Sequence, residues 1–276
     1  MWAEPSAIET GVQWGAVALY VAATIGNCVG VVFRKPAAEK LGYRLAAAGL
    51  VVHGAALLFR WVTTGHGPYI VRYEILSSHA WLTLLLFLVF KARYPRIRPA
   101  SLVVFPAVFL LIACGLFLDP TSQQLPPSLR SIWLIFHVMF YKIALSTLIV
   151  ALAFAVFYLL KQGAAPGRYA MLPPLEEIDT YAYRFTGFGF IFWAIAMLAG
   201  SIWAYQSWGR FWGWDAIETW SLITWVLFGL YLHLRRFFGW QGARAAWLFL
   251  CCFAVSILTL FFTPDLATSI HAEYFR

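Results

Sequence analysis

Four uninterrupted apolar runs decide what this chain can become: Trp14–Phe33, Pro99–Leu118, Phe185–Trp208 and Ala245–Pro264. Each reaches the ~20 residues that cross a bilayer as a helix. Leu41–Val62, Glu74–Phe90, Ser131–Leu160 and Glu218–Phe238 are shorter or interrupted but have the same character. Only 12% of the residues are charged, against about 25% in a soluble domain, so a water-facing surface cannot be built. Backbone groups in hydrocarbon must satisfy one another, and the runs lack the alternation of a barrel strand. The expected fold is therefore all-α and polytopic, with about eight transmembrane helices. Short loops leave no room for a soluble domain, so residues 1–276 are read as one integral membrane domain.

The net charge of +8 is a topology signal rather than a nucleic-acid patch. Alternate loops are basic: Arg34, Lys35, Lys40 and Arg44; Lys91, Arg93, Arg96 and Arg98; Lys161, Arg168 and Arg184; Arg235, Arg236 and Arg244. That places 14 of the 20 Lys and Arg on one side, and the positive-inside rule then puts both termini outside. No Lys or Arg precedes the first apolar run, so a signal-peptide n-region is not expected. Cys28, Cys114, Cys251 and Cys252 all fall within predicted spans and read as small core residues. No Cys-x-x-Cys-His is present, so the chain is not itself a c-type cytochrome.

Among the loops, Lys161–Tyr181 reads as a solvated inner connection carrying the acidic cluster Glu176, Glu177 and Asp179. Asp119–Arg130, with three prolines, reads as irregular. The outer segment Thr64–Glu74 is too apolar for a plain turn and reads as an interfacial stretch. The fifth span is 30 residues long, about 45 Å of helix against a ~30 Å hydrocarbon core. It either tilts or rises above the bilayer, with His137 in its second outer turn.

The densest chemical feature is Ser201–Trp225, which holds six of the 14 tryptophans, at 203, 208, 212, 214, 220 and 225. An aromatic belt would spread its tryptophans over many helix ends. Concentration in one outer loop instead suggests a shelf for a flat apolar partner. Asp215 and Glu218 have capping-box spacing and are expected to cap the seventh helix. Two outer histidines, His137 and His271, flank the shelf, and imidazole pairs are natural axial ligands of haem iron. His233 lies about 22 Å below the outer end of span seven, where an ionisable residue is a functional candidate by default. His53 stays open between a ligand and a packed histidine. His66 and His79 read as loop-packing residues, and Lys142, Arg130 and Arg210 as candidates to meet a haem propionate.

WGRFWGWDAIETW, Trp208–Trp220, resembles the WWD signature of haem-handling proteins in cytochrome c maturation. With AIAMLAGSIWA before it and TWVLFGLYLHLR after it, the form is closest to the CcsA/ResC type of System II. His53, the stretch Arg60–Glu74, His137 and the terminal His271 extend the resemblance over nearly the whole chain. Val71 departs from it, standing where the family pattern has asparagine. The resemblance implies haem b held outside by His137 and His271, with Trp208, Trp212, Trp214, Asp215 and Trp220 forming the WWD surface. It implies a further haem-iron ligand within the membrane at His233; His53 lies about 10 Å shallower by helix rise, so the second inner ligand is expected from a partner chain.

It also implies the membrane subunit of a holocytochrome c synthase, acting with a CcsB/ResB-like partner on apocytochrome c bearing Cys-x-x-Cys-His, whose thiols a thioredoxin-like reductant keeps reduced. The membrane is a bacterial cytoplasmic membrane, with the WWD loop on the periplasmic side, or a thylakoid membrane. A haem exporter or chaperone, a regulator of haem synthesis and a quinol-linked b-type cytochrome remain alternatives. The charge bias generates a direct test of sidedness. In a cysteine-free background in intact cells, an impermeant maleimide is expected to label Ser207→Cys and not Gln162→Cys. The reverse pattern would invert the topology.

Overall fold

A computed structural model describes residues 5–120, 126–261 and 263. These residues form helices and turns with no strand among them. The helices are α1 (Pro5–Val32), α2 (Pro36–Thr64), α3 (Arg72–Arg93), α4 (Ser101–Leu116), α5 (Ile132–Gln162), α6 (Leu175–Trp208), α7 (Ala216–Phe237) and α8 (Ala243–Phe261), with 3-10 turns at Pro95–Ala100 and Pro127–Leu129. Eight candidate spans are long and apolar enough to cross a membrane, so the chain is a multi-pass membrane protein. It divides into two compact units, Met1–Leu125 and Pro126–Arg276.

In the first unit α1 packs on α2 and α4, α3 packs on α4, and α2 meets α3. Small residues let α1 and α2 approach closely, as lipid-embedded helices require when no hydrophobic force draws them together. A Cβ on Gly30 would lie 2.3 Å from the Glu39 nitrogen, and one on Gly42 would lie 2.7 Å from the Asn27 nitrogen. Polar groups then lock the unit from inside. Arg60 bonds Glu74 through Nε at 2.6 Å and Glu9 through Nη1 at 3.0 Å, and also donates to the Pro120 carbonyl. Glu74 in turn accepts from the Ile70 and Val71 nitrogens. The segment between α2 and α3 is thus a loop pinned to the start of α3 by Glu74.

A directional chain leads on from Glu9, which accepts from Tyr73 and from the Gln13 amide. Ser77 donates to the Gln13 carbonyl oxygen. Its oxygen therefore accepts from His53 Nε2 at 2.8 Å, which leaves His53 Nδ1 to accept from Tyr20 at 3.3 Å. His53 has no exposed surface and both ring nitrogens engaged, which favours the packed histidine of the two sequence readings. His66 and His79 are buried too. Nδ1 of His66 faces the Gly67 carbonyl, within the same loop.

In the second unit α5 packs on α6 and α8, and α7 packs on both α6 and α8. α6 begins ten residues before the span expected from hydropathy, because Pro173 and Pro174 set the chain for a helix start and Glu176 and Glu177 occupy its first turn. The acidic cluster therefore belongs to the helix rather than to a solvated loop. Asp179 takes both Arg235 Nη groups, at 2.7 and 2.6 Å, and the Gly242 nitrogen at 3.0 Å, which fixes the α7–α8 connection. Of the four cysteines only Cys252 is buried. Cys114 and Cys251 lie on exposed faces and Cys28 is half-buried, so the core reading fails for the first two.

Removing one partner of a buried ion network strands the others and costs about 3–5 kcal/mol. Arg60→Met is therefore expected to destabilise the protein strongly in detergent unfolding experiments. The triple variant Arg60→Met, Glu9→Gln, Glu74→Gln should recover part of that loss. An Arg60→Met variant as stable as wild type would show that the network holds nothing together.

Candidate functional site

The second unit gathers most of the sequence-predicted site at one end. His137 sits in the second turn of α5, and the loop from α6 to α7 carries the tryptophans. A pocket opens there, lined by His137 and Tyr141 of α5, Gly200 and Trp203 of α6, Trp212 of the loop and Ser221 of α7. α6 stops at Gly209, whose φ of +73° is the left-handed cap that glycine adopts without strain. Trp203 anchors the end of α6 by donating to the Ser128 carbonyl, and Trp208 packs edge-on against it at 4.8 Å. Tyr205 and Phe211 stack at 4.3 Å and 6°.

The expected capping box is present at the start of α7. The Asp215 side chain accepts from the Ile217 nitrogen at 3.2 Å, and Glu218 Oε2 reaches back to the Asp215 nitrogen at 3.2 Å. Glu218 does more than a cap requires, because the same oxygen accepts from the Gly213 nitrogen at 2.8 Å. The two bonds bracket Trp214, which is held at φ +56°. A bulky side chain in that region costs about 1–2 kcal/mol, and this loop holds it there with the indole 71% exposed. Trp220, on the first turns of α7, is also exposed. The shelf is therefore a set of aromatic faces on a rigid backbone.

His137 Nδ1 lies 2.9 Å from the Ala196 carbonyl oxygen. A carbonyl only accepts, so Nδ1 carries the proton and the lone pair of the neutral ring is on Nε2. This is how ligating histidines are set in their tautomer by a partner behind them. The ring also meets Tyr141 edge-on at 4.9 Å and lies tilted to Trp203 at 6.3 Å. Gly200 makes room for it, since a Cβ there would stand 2.3 Å from His137 Nδ1. Beneath the pocket, Ser221 joins three helices by bonding Tyr141 and accepting from Trp193 Nε1 at 3.1 Å.

Other sequence-predicted residues fall elsewhere. His271 lies outside the described residues. His233 is on the exposed face of α7 near its far end, against Phe237 at 4.8 Å and Phe238 at 5.7 Å. It is not buried in the protein, and the other unit 2 candidates lie at the opposite end of the helix. Lys142 is buried on α5. Sequence reasoning missed Gly200, Tyr141, Ser221 and Trp193, whose roles exist only once α5, α6 and α7 are packed.

Gly200 yields a sharp prediction. Gly200→Ala should destabilise by about 1–3 kcal/mol through overpacking against the imidazole. In a His137→Ala background the same change should be neutral or stabilising, because alanine is the better helix former by about 1 kcal/mol. Equal effects in the two backgrounds, measured by unfolding in detergent, would break the proposed contact.

Comparison with known proteins adds a family to this geometry. Residues 41–271 match the family described as cytochrome C assembly protein. The chain is 35% identical over 200 residues to the cytochrome c biogenesis protein CcsA of Chlamydomonas reinhardtii, covering 69% of this chain and 56% of that protein. It is 29% identical over 273 residues to the protein of the same name from Prochlorococcus marinus (strain MIT 9301), covering 88% and 87%. To that of Guillardia theta it is 30% identical over 249 residues, covering 81% and 82%. The chain thus spans little more than half of the Chlamydomonas relative and most of the other two.

Proposed function

Because the chain belongs to the cytochrome c assembly protein family, we propose that it serves cytochrome c maturation as a haem-binding membrane subunit. The observation that carries this reading is His137, fixed by the Ala196 carbonyl with its lone pair on Nε2, in the wall of a pocket beside a rigid aromatic shelf. The residues present fit haem b. A neutral imidazole suits iron, exposed indole and phenol faces suit the macrocycle, and the buried N–H of Trp212, without a partner among the described residues, suits an oxygen at its rim. Haem supplies iron for axial bases and vinyl groups for thiol addition.

The chain's own part is positioning and shielding. His137 and His271 would hold the haem iron, and Trp208, Trp212, Trp214 and Trp220 would cover the ring and exclude water. Asp215 and Glu218 act through the loop, holding the Trp214 backbone in its strained conformation. His233, exposed on α7, is an inner ligand whose counterpart comes from a CcsB/ResB-like subunit. Apocytochrome c with reduced Cys-x-x-Cys-His, kept so by a thioredoxin-like reductant, is the acceptor. Both termini and the WWD loop face outward, on the periplasmic or thylakoid-lumen side.

His137→Gly and His271→Gly are expected to lower the haem b content of the purified protein, and imidazole should restore the low-spin spectrum of each by filling the vacated position. Unchanged haem content and spectrum in both variants would overturn the ligand assignment. Covalent haem attachment by the chain reconstituted with its partner separates a synthase subunit from an exporter.

A further inference from the structure

One donor in the site has no acceptor among the described residues. Trp212 lines the pocket, yet its indole Nε1 is shielded from solvent and has no hydrogen-bond partner among the described residues. Indole N–H only donates, and buried donors are almost always satisfied. What this position lacks is therefore an oxygen.

A cation belongs to the same loop. The Arg210 guanidinium lies directly over the main chain at Gly213, where an added Cβ would stand 2.5 Å from Cζ and 2.8 Å from both Nε and Nη2. Gly213 is thus a seat for the guanidinium, one residue from Trp212. None of the ion pairs among the described residues involves Arg210. The acids of the loop have other duties. Asp215 caps α7 through the Ile217 nitrogen, and Glu218 Oε2 is taken by the Gly213 and Asp215 nitrogens.

A guanidinium and an indole N–H thus stand two residues apart on one loop next to exposed aromatic faces. Guanidinium recognises carboxylates by charge and by its planar donor fork. The exposed faces around it, Tyr205, Phe211 and Trp214, suit a flat apolar body. We propose that Arg210 and Trp212 are the orienting edge of this site, holding one carboxylate of a flat apolar ligand. On the haem reading, on which this rests, that group is a propionate. Haem carries its propionates on one edge and its vinyl groups on others, so a propionate held here turns the vinyl groups away from the Arg210–Trp212 edge. The loop would then select the ligand's orientation as well as its class.

The test compares hemin with hemin dimethyl ester, which share iron, ring and vinyl groups and differ in the carboxylates. The full chain, purified in detergent and stripped of haem, is titrated with each by Soret absorbance. Comparing the ratio of the two affinities between variants cancels differences in micelle partitioning. Trp212→Phe keeps an aromatic ring and removes the donor. Arg210→Gln, at an exposed position, removes the charge without threatening the fold. Each is expected to cut the wild-type preference for hemin by about tenfold, the scale of one charge-assisted hydrogen bond. Added salt should narrow the preference in wild type and leave Arg210→Gln unchanged. His137→Gly should weaken both ligands in proportion and keep the ratio.

A ratio that stays the same in both loop variants would overturn the assignment. So would equal weakening of both ligands by Trp212→Phe, which would make Trp212 a packing residue only. Wild-type protein that binds hemin and its ester equally well would leave the haem reading standing and remove the carboxylate reader. Failure to bind either porphyrin would remove both.

Discussion

In hydrocarbon there is no water to complete a hydrogen bond, and every polar group inside a span must find its partner within the protein. The two units meet this constraint in the same way, by crosslinking helices through polar groups that have no cheaper alternative. In the first, Arg60 ties α1 to α3 from its place on α2, since Glu9 and Glu74 both bond it and all three are nearly inaccessible. In the second, Asp179 of α6 binds Arg235 of α7 and the main chain at Gly242, while Thr224 and Thr259 join α7 to α8 at 2.8 Å. A buried ion pair adds little net stability but is expensive to break. Such contacts therefore select one packing over its alternatives, where apolar contacts against equally apolar lipid discriminate weakly.

The site depends on that selection. His137 would be an ordinary interfacial residue if α5 were rotated away from α6. Its tautomer is set by a main-chain carbonyl on α6, and its space is set by the absence of a side chain at Gly200 on the same helix. Ser221, on a third helix, bonds both Tyr141 and Trp193, so the registers of α5, α6 and α7 are linked at the depth where the imidazole sits. Rigidity then continues into the loop, because Glu218 fastens two nitrogens on either side of Trp214. A chain with the same tryptophans and no carboxylate at 218 would lose the bonds that keep Trp214 in a region bulky residues avoid.

Much of this was legible in the residues themselves. Span number follows from run length, which depends only on composition along the chain. The α7 cap follows from Asp215 and Glu218, whose partners lie within a few residues. The loop's identity as a shelf follows from local tryptophan density. What was not legible was non-local or masked by polarity. Glu176, Glu177 and Asp179 depress hydropathy over the first turns of α6 and hide the helix, although acidic residues are favourable at a helix start and Asp179 is consumed by Arg235. The Glu9–Gln13–Ser77–His53 chain has no signature, since each link lies on a different helix or turn. Gly200 looked like any small residue in a membrane helix until His137 was found against it.

The histidines show why residue type alone does not assign a role. His53, His137 and His233 all lie on long apolar helices, and on sequence His137 and His233 are expected as iron ligands while His53 stays open between a ligand and a packed histidine. In His53, Ser77 accepts from Nε2 and Tyr20 donates to Nδ1, so ligation would first require dismantling a chain that ends on the Glu9 side chain. In His137 the acceptor behind Nδ1 is a backbone carbonyl, which fixes the proton on the far side of the ring from Nε2 and orients the imidazole as the pocket requires. His233 has neither constraint. It stands exposed between Phe237 and Phe238 on a helix with only 22% of its most apolar stretch buried. An imidazole in that position faces lipid unless something covers it, and lipid offers it no hydrogen bond. The geometry thus divides the three by what lies behind the ring. His53 is bonded at both nitrogens, His137 rests on a main-chain carbonyl, and His233 lies against aromatic rings on an exposed helix face.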